Sequence, residues 1–555
     1  MKSVMNKLFN GVFITALLLL INTSCKKVLD IAPYNALPDV TAFNSPERVE
    51  EAVNGVYDAA QSGFYAGGAV RGYPFGAASI EQADMRGEDM LTFVTFYQIT
   101  YESSYNTTSA NNDFMFQTLY SLINRANLTI DGVNGAVSKG IISSALGTHY
   151  VGECLFLRAL AHHELLLHFS RPYRDGNGSK LGIIYRDFAI NDNPATIALA
   201  KTKTRTTVAD GYTKILADLD IAETNLSATT ATAPSPVNIT ANKTYRTTKA
   251  AAIALKMRVR LHMGDWPNVI TEGAKLVPAT PSLTTYPGFT SPIGAWKLET
   301  SSATPFASAG WQGNEAIFSI RNASTDNGGV NGALPNMHGN TSIGGRGIIR
   351  VSPVVYNLPA FRCDDLRRNL MGLIGSGAAQ NYLTTKYTDA ATSTDPAPII
   401  RYAEVLLTLA EAEARQNGIT TKALYLLNDV RNRALPGGPG TFNAPPANTY
   451  TAASFANANA LITAILTERR IEFIAEGKRW GDIHRNATDA NFTTGGIPAK
   501  VGIGASTFAM YSCGSGSATY TTAVAAFPYS DYRFLWPIPL SEIQTNTNYA
   551  QNPGY

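Results

Sequence analysis

Acidic and basic side chains alternate through the last third of the chain, and they are the residues best suited to acid–base chemistry. They are Glu404, Glu411, Glu413, Arg431, Glu468, Arg469, Arg470, Glu472 and Glu476. Two carboxylates on either side of a sugar could hydrolyse a glycosidic bond. Their separation would be ~5.5 Å for one stereochemical course and ~6.5–9.5 Å for the other. The residues recur at helical spacing, however, where acids and arginines more often pair between packed helices. We therefore predict structural ion pairs, with a glycoside hydrolase as the less favoured alternative.

Other catalytic and metal-binding patterns are absent or incomplete. His163 and His168 flank Glu164 but are five residues apart, whereas a zinc-protease helix needs two histidines four apart on one face. The chain has no Gly-x-Ser-x-Gly nucleophile motif and no phosphate-binding Gly-x-x-x-x-Gly-Lys motif. We predict that the protein is not an enzyme and holds no metal or cofactor.

Two long blocks, residues 63–112 and 279–400, are rich in Gly, Ser, Thr, Asn and aromatic residues and lack sustained periodicity. Long irregular segments in compact domains are usually functional. Sugar rings stack their C–H faces on aromatic rings, while neighbouring polar groups bond the hydroxyls. The candidate ligand-binding residues are Tyr65, Tyr73, Phe75, Arg86, Tyr97, Tyr101, Trp296, Trp311 and Tyr356; Phe96 and Asn314 lie in the same blocks.

The amino-terminal residues have the pattern of a lipoprotein signal peptide. A basic start precedes an apolar stretch that ends at Ile21, and Ser24 comes directly before Cys25. The stretch is shorter than the ~20 apolar residues that a spanning helix needs. We predict that residues 1–24 are removed and that Cys25 is lipidated; the alternative is a secretory signal cut nearby, with Cys25 an ordinary thiol.

Composition narrows the ligand class. The formal charge is +3, and loss of Lys2 and Lys7 with the signal peptide would leave +1. The sequence shows no basic stripe of the kind that nucleic-acid binding requires. With only 16% charged residues, the neutral polar surface favours uncharged ligands such as sugars. The cysteines that remain, Cys154, Cys363 and Cys513, are scattered and odd in number, so we predict neither a disulfide framework nor a zinc site.

Hydrophobic periodicity predicts helices along much of the chain. The clearest helical segments run from Glu47 to Ser62, from Phe114 to Val133, from Tyr150 to Phe169, from Val208 to Leu226 and from Leu461 to Glu476.

Two further segments read as antiparallel helix pairs. A helix from Thr248 stops at Gly264-Asp265, and Pro267 opens a second helix. A similar pair follows between Tyr402 and Val430, interrupted at Gly418. Each such pair leaves one apolar face that the next pair covers. The pattern predicts an all-α scaffold of tetratricopeptide-like repeats.

Several blocks, in this order, resemble the SusD/RagB family of outer-membrane lipoproteins from Bacteroidetes. They are LDIAPYNALPDVTAFNSPERVEEAVNGVYDA after the cysteine, GECLFLRALAHHELLLHFSRPY, TRTTVADGYTKILADLDIAETNL, GNEAIFSI, ERRIEFIAEGKRWGDIHR, and the closing PIP followed by QNPGY. The resemblance runs nearly end to end.

The resemblance implies a helical-repeat scaffold with a loop-rich ligand-binding subdomain and no enzymatic activity. It also implies a lipid-anchored, cell-surface protein of the outer membrane that captures oligosaccharides and passes them to a SusC-like TonB-dependent transporter. A peptide ligand within the same family and a scaffold that binds only the transporter are the alternatives. The expected domain limits are 25–555 for the SusD-like domain, with the scaffold at 40–278 and 399–485, the loop-rich subdomain at about 279–398 and a C-terminal segment at 486–555.

Overall fold

The computed structural model describes residues 42–308 and 310–555 and is mostly helical, which confirms the predicted fold class. The predicted signal peptide and Cys25 lie outside the described residues. The helices are α1 (Pro46–Gln61), α2 (Ala78–Arg86), α3 (Gln98–Tyr101), α4 (Ala110–Ser138), α5 (Ser144–Phe169), α6 (Pro194–Thr202), α7 (Val208–Asn225), α8 (Lys249–Met263), α9 (Trp266–Leu276), α10 (Leu334–His338), α11 (Pro353–Tyr356), α12 (Tyr402–Asn417), α13 (Thr421–Asn432), α14 (Ala458–Glu472), α15 (Lys478–Asn486) and α16 (Leu540–Thr545). None of the helices within this part of the chain has the length and hydrophobicity needed to cross a membrane.

The helix ends follow from local capping chemistry. Ser45 caps α1 by accepting a hydrogen bond from the backbone N–H of Arg48, with Pro46 in the first turn. Thr207 caps α7 in a reciprocal capping box with Asp210. Gly264 ends α8 with a φ of 75°, a left-handed conformation that favours glycine. These caps place the helix boundaries close to the predicted ones.

The long helices stack in sequence, as expected for tetratricopeptide-like repeats. The helices α4, α5, α7, α8 and α9 each pack on the next, and α9 then packs on α12, which contacts α13 and α14. Alanines and leucines fill the contacts; in α8 the segment from Ala250 to Leu255 is almost fully buried. Stacking therefore covers the apolar face that one helix pair leaves open.

Short strands join the two irregular blocks. The strands are β1 (Gly63–Phe64), β2 (Val70–Tyr73), β3 (Met90–Thr92), β4 (Ala316–Ile320), β5 (Ile349–Val351), β6 (Met371–Ile374), β7 (Asn381–Thr384), β8 (Ala397–Arg401), β9 (Gly496–Ile497) and β10 (Phe527–Pro528). Strand β3 of the first block pairs antiparallel with β5 of the second, with Leu91 opposite Arg350. Pairs β1–β2, β4–β8, β6–β7 and β9–β10 complete the two-stranded sheets in the described part.

A disulfide corrects the prediction drawn from the cysteines. Cys363 and Cys513 are bonded, with their Cα atoms 5.5 Å apart, while Cys154 is a free, buried thiol. The two partners are 150 residues apart in sequence, and such a separation carries no spacing signal from which a pair can be recognised. The bond ties the loop-rich block to the C-terminal segment.

Candidate functional site

The carboxylates that could have been catalytic are engaged in buried ion pairs. Glu472 accepts hydrogen bonds from Arg433 at 2.6 Å and from Arg401 at 3.1 Å. Glu468 shares Arg367 with Glu472, at 2.5 Å and 3.2 Å respectively. These pairs confirm the prediction of a structural network, and they leave neither carboxylate facing an open substrate site.

The same pairs set the protonation of Glu472. Burial alone would raise its pKa, but the guanidinium groups of Arg433, Arg401 and Arg367 lower it overall, far below the usual range. A general acid must instead hold a proton near neutral pH. Glu472 therefore remains an anion that neutralises buried arginines.

The His163-Glu164…His168 segment is also structural. His168 pairs with Glu164 at 3.1 Å, and burial lowers the pKa of His163 to about 3. The ring of His163 packs edge-on against His262, with centroids 5.0 Å apart. No metal-ligand cluster forms around these rings within the described residues.

Seven of the nine predicted ligand-binding residues are packed in the interior. They are Tyr73, Phe75, Arg86, Tyr97, Tyr101, Trp296 and Trp311, and none is more than 5% exposed. An aromatic ring can stack on a sugar only through a face open to solvent. We therefore correct the prediction for these seven residues: their side chains pack in the interior.

Arg86 shows why the loop residues are buried. Its guanidinium lies 3.5 Å from the centre of the Trp480 ring and donates a 2.6 Å hydrogen bond to the carbonyl of Phe534. Trp480 in turn donates its indole N–H to the carbonyl of Leu167 at 3.1 Å, which confirms its predicted role as a packed anchor. The buried aromatic residues of the irregular blocks, such as Tyr97 and Trp296, belong to the same hydrophobic core as the long helices.

A partly exposed cluster forms where the two irregular blocks meet, and we call it the platform: Tyr65, Arg71, Phe96 and Arg346. The guanidinium of Arg71 lies 4.2 Å from the centre of the Tyr65 ring and 5.2 Å from that of Phe96. Arg346, from the second block, lies 5.1 Å from the Phe96 ring centre. An aromatic face flanked by N–H donors is the arrangement that binds a sugar ring and its hydroxyls.

Close backbone packing brings the second block against the platform. A Cβ atom at Gly332 would lie 2.6 Å from the backbone of Arg71, so only glycine fits there. Arg346 donates a hydrogen bond to the side chain of Asn331. The pairing of β3 with β5 and this contact at Gly332 together position the two arginines.

A chain of hydrogen bonds beneath the platform orients Tyr65. Its hydroxyl donates to Asn111 Oδ1 at 3.0 Å. Asn111 donates to the hydroxyl of Thr100 at 3.4 Å, and Thr100 donates to Gln82 Oε1 at 2.6 Å. Gln82 lies on α2 and is buried. The ring is therefore held by the helical part of the fold rather than by its own loop.

A second aromatic cluster surrounds Tyr356. Tyr356 stacks on Tyr382 with centroids 4.5 Å apart, and Tyr511 packs edge-on against both. Phe508 lies at the open edge of the cluster, 6.4 Å from Tyr382. Arg368 sits 4.4 Å from the Tyr356 ring centre but donates to the backbone carbonyl of Tyr356 at 2.9 Å. Arg368 also donates to the carbonyls of Arg362 and Phe361, and the Tyr511 hydroxyl donates to that of Val351, so these polar groups are engaged by the backbone.

Comparison with known proteins now identifies the family. Residues 367–555 match the model of the SusD family, and residues 27–261 match a related model described as starch-binding and associating with the outer membrane. The chain belongs to the SusD family. A SusD-like protein, P38, of Formosa agariphila is 25% identical over 530 residues, which cover 86% of this chain and 92% of that protein.

Solved structures share the fold of this SusD-family protein. A SusD superfamily protein from Bacteroides fragilis superposes with a TM-score of 0.71 at 25% identity, covering 92% of this chain and 99% of the other. Surface glycan-binding protein A from Bacteroides uniformis superposes with a TM-score of 0.65 at 18% identity, covering 92% and 99%. The latter identity supports likeness of fold alone.

The closing QNPGY block of this SusD-family chain is a structural clasp. Asn552 donates to the carbonyls of Phe169 at 3.0 Å and Trp536 at 2.8 Å, and it accepts from Arg205 at 2.9 Å. This block, one of those that carried the family resemblance, therefore stabilises the fold. Arg71 and Arg346 were missed by sequence analysis, since a single arginine in a loop gives no signal of what will stack on it.

Proposed function

We propose that this SusD-family protein captures oligosaccharides at the platform. The observation that carries the proposal is the partly exposed Phe96 ring with two guanidinium groups within 5.2 Å of its centre. The ring supplies an apolar face for a sugar, and the arginines supply N–H donors for its oxygens. The description of the matching family model as starch-binding supports this ligand class.

The expected affinity is modest. One aromatic stacking contact contributes ~0.5–1.5 kcal/mol beyond area burial, and each hydrogen bond to a charged group contributes ~1.5–3 kcal/mol. Ordering a flexible oligosaccharide opposes both terms. Weak capture suits a protein that must release its ligand to a transporter.

We further propose that the protein is anchored to the outer membrane through a lipid on Cys25 and passes its ligand to a SusC-like TonB-dependent transporter. The family description as associating with the outer membrane supports the location. Intact mass of the membrane-extracted protein tests the anchor, and co-purification of a TonB-dependent transporter with a tagged chain tests the partner. A mature protein that begins elsewhere and carries no lipid would refute the anchor.

Binding is tested by affinity electrophoresis and calorimetry on wild type and Phe96→Ala, with polysaccharides, oligosaccharides and peptides as probes. We expect one glycan to bind and Phe96→Ala to weaken it about tenfold, equivalent to ~1.4 kcal/mol. Phe527→Ala is the matched control, because Phe527 also has an arginine over its ring, Arg533 at 3.7 Å, but lies on β10. The control should bind as wild type does.

Three other results would contradict parts of this interpretation. Binding of peptides without glycans would establish the peptide-binding alternative, since peptides are recognised through backbone hydrogen bonds and apolar pockets. A glycan that binds Phe96→Ala and wild type equally would exclude the platform. Hydrolysis of a bound glycan would refute the prediction from the sequence that the protein is not an enzyme.

A further inference from the structure

The platform carries two positive charges close together. Both guanidinium groups lie within 5.2 Å of the Phe96 ring centre, so Arg71 and Arg346 can be no more than about 10 Å apart. This is comparable to the Debye length of ~8–10 Å at physiological salt. The two charges therefore act together on anything that rests on the ring.

Neither arginine has an ion-pair partner within the described residues. Arg71 forms no salt bridge with them, and its buried Nε has no hydrogen-bond partner among them. Arg346 bonds to an amide oxygen of Asn331 instead of a carboxylate. Arg433 in the core shows the contrast, because it is paired with Glu315 and Glu472. Many arginines elsewhere in the fold form ion pairs, whereas these two form none with the described residues.

The neighbouring carboxylates do not neutralise the positive charge of the platform arginines. Glu81 is buried behind it and accepts a hydrogen bond from the hydroxyl of Tyr97 at 2.8 Å. Burial raises the pKa of Glu81 well above its usual value, although Tyr97 and Arg71 oppose the shift. Glu102, at the end of α3, accepts a hydrogen bond from Gln98. No carboxylate of the described residues reaches either platform arginine within salt-bridge distance.

We propose that the ligand on the platform is an anionic saccharide, with its carboxylate or sulfate group held by Arg71 and Arg346 and its ring on Phe96. The inference rests on the proposed function and names its ligand class. A guanidinium fork matches the oxygens of a carboxylate or sulfate group, and charge-assisted bonds are about twice as strong as neutral ones. The low charge of the whole chain favoured uncharged ligands, but the charge at the platform is local and decides what binds there.

Exposed apolar side chains lie next to the platform residues in the sequence. Phe64, Val70, Val94 and Ile99 are each 41–44% exposed and lie in the segments that carry Tyr65, Arg71 and Phe96. Exposed apolar groups are what the C–H faces of sugar units pack against. An acidic polysaccharide combines such faces with regularly spaced charge, as the platform requires.

The test compares an acidic oligosaccharide with its neutral methyl ester, and adds a sulfated oligosaccharide as a second kind of anion. Calorimetry is run on the full chain with a de-esterified oligogalacturonide, its methyl ester and a sulfated carrageenan oligosaccharide, for wild type, Arg71→Gln and Arg346→Gln. We expect an acidic oligosaccharide to bind at least tenfold more tightly than the methyl ester. Each variant should reduce that preference on the order of tenfold, and rising salt should reduce it in wild type.

Arg321→Gln is the matched control, since Arg321 also lies over a tyrosine, Tyr245 at 5.8 Å, outside the platform. Binding of the uronate alone or the sulfate alone supports the inference and assigns the anion. Equal binding of acidic and neutral saccharides would overturn the inference and leave the proposed function standing. If Arg71→Gln and Arg346→Gln bind the acidic saccharide as tightly as wild type does, the platform is not its binding site. Binding of no saccharide would overturn both proposals.

Discussion

Replacing Glu472 by glutamine separates a structural carboxylate from a catalytic one. The substitution keeps the shape of the side chain but removes the charge that Arg433, Arg401 and Arg367 share. Glu472 is only 3% exposed, so water cannot replace the lost charge. We expect lower stability with unchanged glycan binding.

The magnitude follows from the partners that remain. Breaking a buried ion pair by removing one partner costs about 3–5 kcal/mol. Arg433 keeps Glu315 at 2.5 Å, and Arg401 keeps Glu476 at 2.8 Å, which places the cost near 3 kcal/mol, at the low end of that range. With an unfolding entropy of about 2.1 cal/mol/K per residue, a chain of 555 residues should lose about 2–3 °C in its thermal midpoint.

Thermal unfolding and glycan binding are measured on the same samples. Asp187→Asn is the control, because Asp187 makes an exposed ion pair with Lys214 at 2.9 Å and such pairs contribute only about 0–1 kcal/mol. An unchanged midpoint for Glu472→Gln would refute the argument from buried pairing. Loss of a glycan turnover in Glu472→Gln, with stability intact, would show that the carboxylate is catalytic.

Three further predictions concern stability. Lys500 is buried and bonded to two backbone carbonyls, and burial lowers its pKa to about 7. Because the unfolded lysine keeps its proton up to about pH 10.4, wild type should gain stability relative to Lys500→Met as pH rises from 7 to 10; equal midpoints across that range would contradict this. Replacing Cys363 and Cys513 together by serine opens a loop spanning 150 residues and should cost up to about 5 kcal/mol, and a reductant should lower the midpoint of wild type but not of the double variant. Asn552→Ala removes the donor to the carbonyl of Trp536, while Arg205 still donates to that of Phe169, so the substitution should cost about 1–3 kcal/mol in chemical denaturation; Asn548→Ala, at an exposed position, should change the free energy of unfolding by less than about 0.5 kcal/mol.

Much of the fold could be predicted from the sequence because it depends on local patterns. Apolar spacing and capping residues place the long helices, and Gly264 marks the turn between α8 and α9. The alternation of acids and arginines likewise predicted that Glu472 is ion-paired, but not that its partners are Arg367, Arg401 and Arg433. The helices can be recognised from the sequence because helix formation depends on residues three or four positions apart, whereas the partners of Glu472 lie 39, 71 and 105 positions from it.

Only the tertiary structure decided which loop residues face solvent. Trp296 and Tyr65 both lie in aromatic-rich irregular blocks, yet the first is buried and the second is partly exposed. Arg71 and Arg346 are 275 positions apart in the sequence and meet on one ring because β3 pairs with β5. Irregular segments have no fixed period that relates sequence position to a face, so their exposure depends on contacts with distant residues.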